Sequence, residues 1–425
     1  MRKFKIGDLY DSSSGLSKSR SEFGFGYPFL TFKDVFDNYF VPNKLESLAN
    51  TTEKERETYS IKAGDIFITR TSETQDELGK TSVALNDYPE ATFNGFTKRL
   101  RLKPNVNAKV HSKYIGYYLR SSKVRNQIYS FSSMTTRASL NNSMISTIEI
   151  QLPELDVQKK IASILSALDD KIELSNRMNK VLEQMAQAIF KQWFVDFEFP
   201  NENGEPYKSS GGEMEWCEEL GKEIPKGWKV GTVADLGTVV GGGTPSSSNE
   251  EYFADLGIPW ITPKDLSTNK SKFIYRGSRD ISEAGLKNSA AKLLPEGTVL
   301  FTSRAPIGYI AIAGNPVATN QGFKSIIPSD EIGAEFVYCF LKENLTAIEN
   351  MATGSTFKEV SGSVLKNITA LLPDPCVIKQ FSGAIGIQND KIKNNEKQLE
   401  YLTNLRDTLL PKLLSGEIDV SEVEF

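Results

Sequence analysis

Two stretches of the chain place apolar residues at mixed spacings of three and four. One runs from Ile161 to Ile189 and the other from Phe381 to Leu409. This spacing is typical of an amphipathic helix with one apolar stripe. A helix of about 35 residues is roughly 50 Å long, whereas a domain of 150 residues is about 30–35 Å across. The pattern therefore predicts two long helices that pair with each other as an intramolecular coiled coil.

The residues predicted to form the seam of this coiled coil share one face of each helix. They are Ile161, Leu168, Ile172, Leu182, Ile189, Ile385, Ile392, Leu399, Leu402 and Leu409. The alternative is that each helix packs only on a neighbouring globular domain, which the length of the stripe disfavours. Pro411 is expected to end or kink the second helix near its C-terminus.

The segments that precede the long helices have the pattern of strands. Short β-branched runs such as Asp65–Thr69 and Thr298–Thr302 are bounded by Gly, Pro and Asn. Each segment also contains one predicted helix, over 112–130 in the first and 334–351 in the second. Each half of the chain therefore combines a mixed α/β domain with one long helix.

The two halves are similar in sequence. From Met134 to Phe194 the two halves align at a constant offset of 220 positions without a gap, so that Pro153 meets Pro373. Further upstream Lys33 matches Lys264, and Asn94-Gly95-Phe96 matches Gln321-Gly322-Phe323. This tandem duplication predicts an α+β fold with two mixed α/β domains in tandem repeat, joined by two long antiparallel helices that form an intramolecular coiled coil.

The pattern changes divide the chain into five predicted segments. They are a first domain over 1–153, the first long helix over 154–199, a polar linker with the entry to the second domain over 200–229, the second domain over 230–373, and the second long helix with the C-terminal tail over 374–425.

Composition excludes several classes of site. The 425 residues include one histidine and three cysteines without CxxC spacing, which argues against His-based catalysis, zinc ribbons and disulfide scaffolds. There is no P-loop, and Gly241–Thr244 lacks the spacing of a dinucleotide fingerprint, so we interpret it as a flexible loop. No apolar run could span a membrane, and the first residues lack the apolar core of a signal peptide, so a cytoplasmic protein is expected. We predict no metal site and no catalytic residue.

Charge is distributed unevenly along the chain. Residues 1–150 contain 22 Lys and Arg against 16 Asp and Glu, and no acidic residue occurs between Glu90 and Glu149, a stretch with ten basic residues. One interpretation is a surface that faces phosphates, and the other is a basic face without a partner. The second domain is slightly acidic, so a positive face there would be local, with residues 264–279 as the candidate.

Two similar domains at a set separation suit a DNA target with two separated parts. Candidate side chains for phosphates or base edges are amides, hydroxyls and cations near the predicted strands. In the first domain they are Lys33, Arg70, Lys80, Asn94, Lys98, Arg99 and Arg137. In the second domain they are Lys264, Arg304, Gln321, Lys324, Thr356 and Lys358.

Five motifs carry a resemblance to a known family. They are Pro259–Leu266, Gly297–Arg304, Asn320–Phe323, Leu152–Lys159 at the entry to the first long helix, and Ile224–Trp228 at the start of the second domain. With the order domain–helix–domain–helix, they make nearly the whole chain resemble the specificity subunit of type I restriction–modification systems.

This resemblance implies that each domain is a target-recognition domain that reads one part of an interrupted DNA sequence. The helices would set the spacing and dock two adenine methyltransferase subunits, and a motor/nuclease restriction subunit would complete the complex. The chain itself would be non-catalytic and would hold no cofactor, because S-adenosylmethionine and ATP would bind to the partner subunits.

One departure and two alternatives stay open. Gln158–Ile161 in the first helix is matched by the different Ile378–Phe381 in the second, so the implied docking surfaces differ between the repeats. A protein-binding coiled-coil scaffold without DNA affinity leaves the acid-free stretch unexplained. A stand-alone nucleic-acid-modifying enzyme would require the purified chain to bind a methyl donor.

Overall fold

The computed structural model describes residues 1–72, 77–131, 138–354 and 358–423. The chain divides into two compact units, which are unit 1 (residues 1–173 and 401–425) and unit 2 (residues 174–400). Each of the two long helices contributes residues to both units, so each unit contains one domain together with a section of the helix pair.

Unit 1 begins with a strand and is built from short elements. Its strands are β1 (Arg2–Lys5), β2 (Tyr10–Ser14), β3 (Phe23–Leu30), β4 (Leu48–Ala49), β5 (Ile66–Thr69), β6 (Thr71–Ser72), β7 (Thr81–Val83), β8 (Thr92–Phe93), β9 (Thr97–Leu102), β10 (Ala138–Ser139) and β11 (Glu149–Leu152). Its helices are α1 (Ile6–Leu9), α2 (Phe32–Asp37), α3 (Glu53–Thr58), α4 (Ser112–Leu119), α5 (Ser122–Phe131), α6 (Asn142–Thr147) and the start of α7 (Leu155–Phe194).

The central sheet of unit 1 has the strand order β2-β9-β5-β7 and is antiparallel. Beside it, β3 pairs antiparallel with β4 and parallel with β8. Strand β5 is completely buried because its side chains on both faces meet apolar cores, one that contains Ile66 and Ile68 and one that contains Phe67. Strands β1 and β11 form a separate antiparallel pair next to the start of α7.

Unit 2 repeats this plan with two more strands in the part of the chain that the structure describes. Its strands are β12 (Met214–Cys217), β13 (Lys222–Pro225), β14 (Lys229–Thr232), β15 (Gly237–Gly241), β16 (Phe253–Ala254), β17 (Ile258–Ile261), β18 (Phe273–Ile274), β19 (Arg279–Ile281), β20 (Val299–Ser303), β21 (Ile307–Ala313), β22 (Ala318–Thr319), β23 (Lys324–Pro328) and β24 (Thr369–Leu372). Its helices are α8 (Val233–Leu236), α9 (Pro263–Thr268), α10 (Glu283–Lys287), α11 (Gly333–Glu343), α12 (Leu345–Asn350), α13 (Gly362–Lys366) and most of α14 (Pro375–Ser415).

The sheets of unit 2 correspond to those of unit 1. The main sheet has the order β15-β23-β20-β21-β18, and a second sheet has the order β16-β19-β17-β22. The pair β14–β24 corresponds to β1–β11, and an identical backbone bond follows each pair: Ile6 N donates to Ile148 O, and Val233 N donates to Ile368 O, both at 2.9 Å. The predicted tandem repeat and the α+β fold are confirmed.

The predicted long helices are present and pair in antiparallel fashion. Helix α7 has 40 residues and α14 has 41, so each is about 60 Å long rather than the expected 50 Å. In unit 1 the early part of α7 meets the late part of α14, where Arg406 Nη1 donates to Asp169 Oδ1 at 2.9 Å. In unit 2 the late part of α7 meets the early part of α14, where Phe190 packs on Phe381.

The seam is less uniformly apolar than predicted. Ile161, Ile385 and Ile392 are buried, while the other predicted seam residues are half-buried. In unit 2 a buried polar pair interrupts the stripe, with Asn395 Nδ2 donating to Asn179 Oδ1 at 2.7 Å. A polar pair of this kind favours one alignment of two helices over shifted ones, because any shift would leave both amides buried without a partner.

The predicted helix boundaries differ from the structure in three places. Helix α14 continues to Ser415 past Pro411, so the proline does not end the helix. The single helix predicted over 112–130 is two helices, α4 and α5, and the one over 334–351 is also two, α11 and α12. At the first break the Arg120 guanidinium donates to four backbone carbonyls, one in β7, two in α2 and one just after α2, which holds the chain in a turn.

Candidate nucleic-acid interface

In both units a short helix carries an exposed lysine. Lys33 lies in the first turn of α2 and Lys264 in the first turn of α9. Each helix starts with the same capping arrangement, in which the backbone N–H and hydroxyl of a threonine donate to an aspartate three residues later. The N–H distance is 2.9 Å for Asp34 and 2.8 Å for Asp265. This reciprocal cap defines where the helix begins and holds the lysine at its exposed first turn.

A turn beside each of these helices is built around an asparagine. Asn94 follows the strand pair β3–β8, and its Oδ1 accepts from Phe96 N at 2.6 Å. Asn320 follows the strand pair β17–β22, and its Oδ1 accepts from Gly322 N at 2.9 Å. Both asparagines are only half-buried, so each turn lies at the surface.

The structure corrects the sequence match at this turn by one residue. The sequence pairs Asn94 with Gln321, but the backbone bonds pair it with Asn320: Asn94 N donates to Leu30 O and Asn320 N to Ile261 O, both at 3.0 Å. The Gly-Phe dipeptide that follows in both halves lies two residues after Asn320 but directly after Asn94. Gln321 is exposed, and its side chain accepts from the Thr244 hydroxyl.

A glycine loop packs against each asparagine turn. A Cβ atom built on Gly15 would lie 2.2 Å from Asn94 O, and one built on Gly242 would lie 2.0 Å from Asn320 O. Neither approach tolerates a side chain, which explains glycine at both positions. The loop over Gly241–Thr244 is therefore closely packed rather than free, and Trp260 Nε1 donates to Gly243 O at 3.1 Å.

The strand end next to the turn is also repeated. Thr69 Oγ1 accepts from Lys80 N at 2.9 Å, and Thr302 Oγ1 accepts from Tyr309 N at 2.8 Å. Lys80 therefore has Tyr309 as its counterpart, and its ammonium lies 6.0 Å from the centre of the Phe36 ring of α2. The shared backbone frame thus carries different side chains in the two units.

Unit 1 places two cations together at the start of β9. Lys98 Nζ donates to Ser14 Oγ at 3.1 Å, and its pKa is lowered by burial and then by the charge of Arg70. Arg70 is half-buried, and its Nε atom has no hydrogen-bond partner among the residues that the structure describes. Two close positive charges, one with an unused donor, are suited to an anion.

Unit 2 places a carboxylate in the corresponding region. Glu359 Oε2 lies 3.7 Å from Arg304 Nη1, and Glu359 Oε1 lies 3.5 Å from Lys324 Nζ. Lys324 is the counterpart of Lys98, because each lies opposite the last residue of the first strand of its sheet. Sequence reasoning missed Glu359, although its position next to the predicted Lys358, which is exposed, could have suggested it.

Much of the positive charge in the acid-free stretch serves the interior of unit 1. Arg99 is buried and donates to Ser60 O at 2.6 Å, and Arg120 and Arg125 also donate to backbone carbonyls. Burial lowers the pKa of Arg99, and it lowers the pKa of Arg120 to about 10. The interpretation of this stretch as one phosphate-facing surface is therefore wrong for these three arginines, whose charge is balanced by carbonyl dipoles. Arg99 has a structural role.

The structure does not support three other predicted parts of the interface. Arg137 and Thr356 lie outside the described residues. The local positive face over residues 264–279 loses Lys272, which is 1% exposed and donates to Asn389 Oδ1 at 2.6 Å in the interior of unit 2. The exposed candidates with a clear place in the repeated frame are Lys33 and Lys264.

The described ranges contain neither a candidate metal site nor a helix that could cross a membrane. No group of three or more His, Cys, Asp and Glu side chains there could hold a metal ion. None of the helices described is long and apolar enough to cross a membrane.

Comparison with known proteins identifies the class. The family profile described as "Type I restriction modification DNA specificity domain" matches residues 1–184 and 225–380, which is most of the chain. The class is that of DNA-specificity proteins with two tandem domains. The chain belongs to this family, whose members are the non-catalytic specificity subunits of type I restriction–modification systems.

Individual proteins similar to this chain are also specificity subunits of type I restriction enzymes. The HindI specificity subunit of Haemophilus influenzae is 28% identical over 472 aligned residues, covering 98% of this chain and 99% of that protein. The MjaIX specificity subunit of Methanocaldococcus jannaschii is 42% identical over 189 residues, and the match spans 44% of this chain and 43% of that protein. The crystal structure of a type I S subunit from M. genitalium has a TM-score of 0.57 at 16% identity and covers 97% of this chain, which shows the same fold.

The departure at the start of the long helices includes one buried position. Gln158 is buried, its Nε2 donating to Lys109 O and Pro153 O and its Oε1 accepting from His111 N. Its counterpart Ile378 lies in the apolar core of unit 2. The difference at this one position therefore alters the interior of the units.

Proposed function

We propose that each unit reads one half of a bipartite DNA target and that the chain directs adenine methylation or restriction to that target. The observation that carries the proposal is the repeated frame of capped helix, asparagine turn and glycine loop. Its side chains differ between the units, as Lys80 against Tyr309 and Arg70 against Ser303 illustrate. One frame with two sets of polar groups suits two different half-sites.

Two exposed lysines supply the part of the DNA affinity that does not depend on the base sequence of the DNA. Lys33 and Lys264 are exposed at matching places, and neither is held in an ion pair among the described residues. Ammonium groups at such places contact phosphates and set the register of a protein on the duplex. Polar groups of the adjacent turn then face the base edges.

The helix pair sets the spacing between the half-sites and docks two methyltransferase subunits. Support comes from large apolar side chains that stay exposed on the helices: Leu174, Val181 and Met185 on α7, and Ile387 and Tyr401 on α14. Such side chains on one helix pair suit the apolar face of a partner helix. S-adenosylmethionine and ATP bind to the methyltransferase and the motor/nuclease subunits, and the complex works on DNA in the cytoplasm.

A methylome tests this function. The chain is expressed with the methyltransferase subunit of the same locus in a host that lacks DNA methylation, and modified adenines are mapped by single-molecule sequencing. The expected result is a new interrupted motif that disappears when this chain is omitted. Identical methylation with and without the chain would contradict the proposal.

The scaffold alternative has a separate test. A protein-binding coiled coil predicts that the purified complex has no affinity for DNA. Binding to duplex DNA that weakens steeply as the salt concentration rises would exclude it.

A further inference from the structure

The backbone of Glu359 is held from two sides. Glu359 N donates to Thr353 O at 2.9 Å, Thr353 N donates to Glu359 O at 3.1 Å, and Glu359 also forms a bridge with Arg304. The next residue, Val360, donates its N–H to Ser303 O at 2.9 Å. The main chain at Glu359 is therefore anchored to the end of β20, which belongs to the repeated frame.

The side chain of Glu359 stays accessible although it contacts two cations. Its exposed fraction is 36%, that of Arg304 is also 36%, and that of Lys324 is 21%. Distances of 3.5 and 3.7 Å orient the carboxylate without covering it.

Unit 1 has no acidic residue at this position. Leu140 N donates to Arg70 O as Val360 N donates to Ser303 O, which makes Ser139 the counterpart of Glu359. Ser139 pairs with Thr71 as Glu359 pairs with Arg304. Among the residues that the structure describes, the Glu359–Arg304 pair is therefore a feature of unit 2 alone.

The chemistry of an ionised carboxylate limits what it can contact on DNA. It repels phosphates and the acceptor atoms of bases, and it accepts hydrogen bonds from exocyclic amino groups. In the major groove cytosine presents the N4 amino group as a donor, whereas adenine places the N7 acceptor next to its N6 amino group. A guanidinium is the common partner of guanine O6 and N7. A carboxylate and a guanidinium side by side therefore match the two bases of one C·G pair.

We propose that Glu359 and Arg304 together read one C·G base pair in the half-site of unit 2, with Glu359 accepting from cytosine N4 and Arg304 donating to the paired guanine. Lys324 is a positioning residue that holds the carboxylate from its other side. This proposal rests on the proposed function and adds to it one specificity-determining pair.

The test uses the complex of the full chain with its methyltransferase partner. Once the methylome has given the motif, Glu359→Gln and Glu359→Ala are expected to relax discrimination at one C·G pair by about tenfold or more. The other half of the motif stays unchanged. The measurement is competition binding with duplexes that each carry one altered base pair, together with a second methylome for each variant.

Glu331→Ala is the matched control, because it removes one negative charge from an exposed position of the same unit ahead of α11. It is expected to leave the motif unchanged. Thermal melting of each variant shows that it is folded, and Glu359→Gln keeps the shape of the side chain if the alanine variant is unstable.

Several results would overturn the inference. They are a wild-type motif in which neither half contains a C·G pair, an unchanged motif in both folded Glu359 variants, or a rise in affinity for all duplexes alike, which would mean that Glu359 only neutralises its two cations. Failure of the proposed function looks different, because the wild-type complex would then yield no interrupted motif at all.

Discussion

The two units have nearly the same backbone around the candidate interface but different arrangements of charge. In unit 1, Lys98 and Arg70 lie close together, and serine occupies the place of the carboxylate. In unit 2, Glu359 lies between Arg304 and Lys324. This difference shows that capping threonines, asparagine turns and close-packed glycines maintain the same backbone frame in both units. The charged and polar side chains placed on that frame differ between the units.

The largest effect should come from breaking the packing that supports one unit. Phe381 is fully buried and packs on Phe190, Trp193 and Phe194. Phe381→Ala should lower the free energy of unfolding by about 3–5 kcal/mol, because it removes a large apolar side chain and leaves a cavity. Chemical denaturation measures this. Ile387→Ala on the same helix, at an 81% exposed position, should change stability by less than about 0.5 kcal/mol, and equal losses would contradict the packing described.

The next largest effect should be a pH dependence of folding stability that arises in unit 2. Burial raises the pKa of Glu396 in unit 2 to about 7, although the N–H groups of Lys272 and Phe273 donate to its carboxylate. The pKa of this carboxyl group in the folded state lies above its ordinary value of 4.5. Below pH 4.5 the group therefore contributes its full stabilisation to the fold. This stabilisation is lost as the pH rises through about 7.

Glu396→Gln should therefore flatten the pH dependence of stability between about pH 4.5 and 7, by an amount on the order of 1–3 kcal/mol. Denaturant unfolding across this range measures it. If the variant and the wild type lose stability in parallel as the pH rises, a different group is responsible.

The buried arginine of unit 1 should affect stability more than DNA binding. Arg99→Ala removes the buried guanidinium that donates to Ser60 O and Thr58 O and should cost about 1–3 kcal/mol in stability. The salt dependence of DNA binding should keep its slope, because the guanidinium is turned into the domain. A smaller slope with unchanged stability would show instead that Arg99 contacts phosphate.

The smallest effect should come from the exposed lysines. Lys33→Ala and Lys264→Ala should each reduce the slope of log K against log salt by about 1 and leave stability within about 0.5 kcal/mol. Equal changes would mean that both units contact phosphate through the same place in the frame. An unaltered slope in one variant would assign phosphate contact to the other unit alone.

The sequence was sufficient for features that repeat along the chain. The apolar spacing from Ile161 onwards predicts the long helices, and the 220-residue offset predicts the tandem domains, because periodic burial leaves a periodic pattern. The match of Lys33 with Lys264 was also recoverable, since the threonine–aspartate caps that position them are local in sequence.

Features that depend on distant contacts were not predictable. Asn320 replaced Gln321 as the counterpart of Asn94 because backbone bonds to another strand, and not residue identity, define the turn. The arginines of the acid-free stretch looked like a surface because composition does not reveal the carbonyl groups that receive them. The polar pair of Asn179 and Asn395 joins residues far apart in the chain.

The central claim is that each unit reads its own half of the target. Its most direct test replaces residues 230–373 by the corresponding domain of another specificity subunit and compares the methylomes of both complexes. The account predicts that one half of the motif changes while the other half stays the same. A motif that changes in both halves, from a folded and active complex, would contradict it.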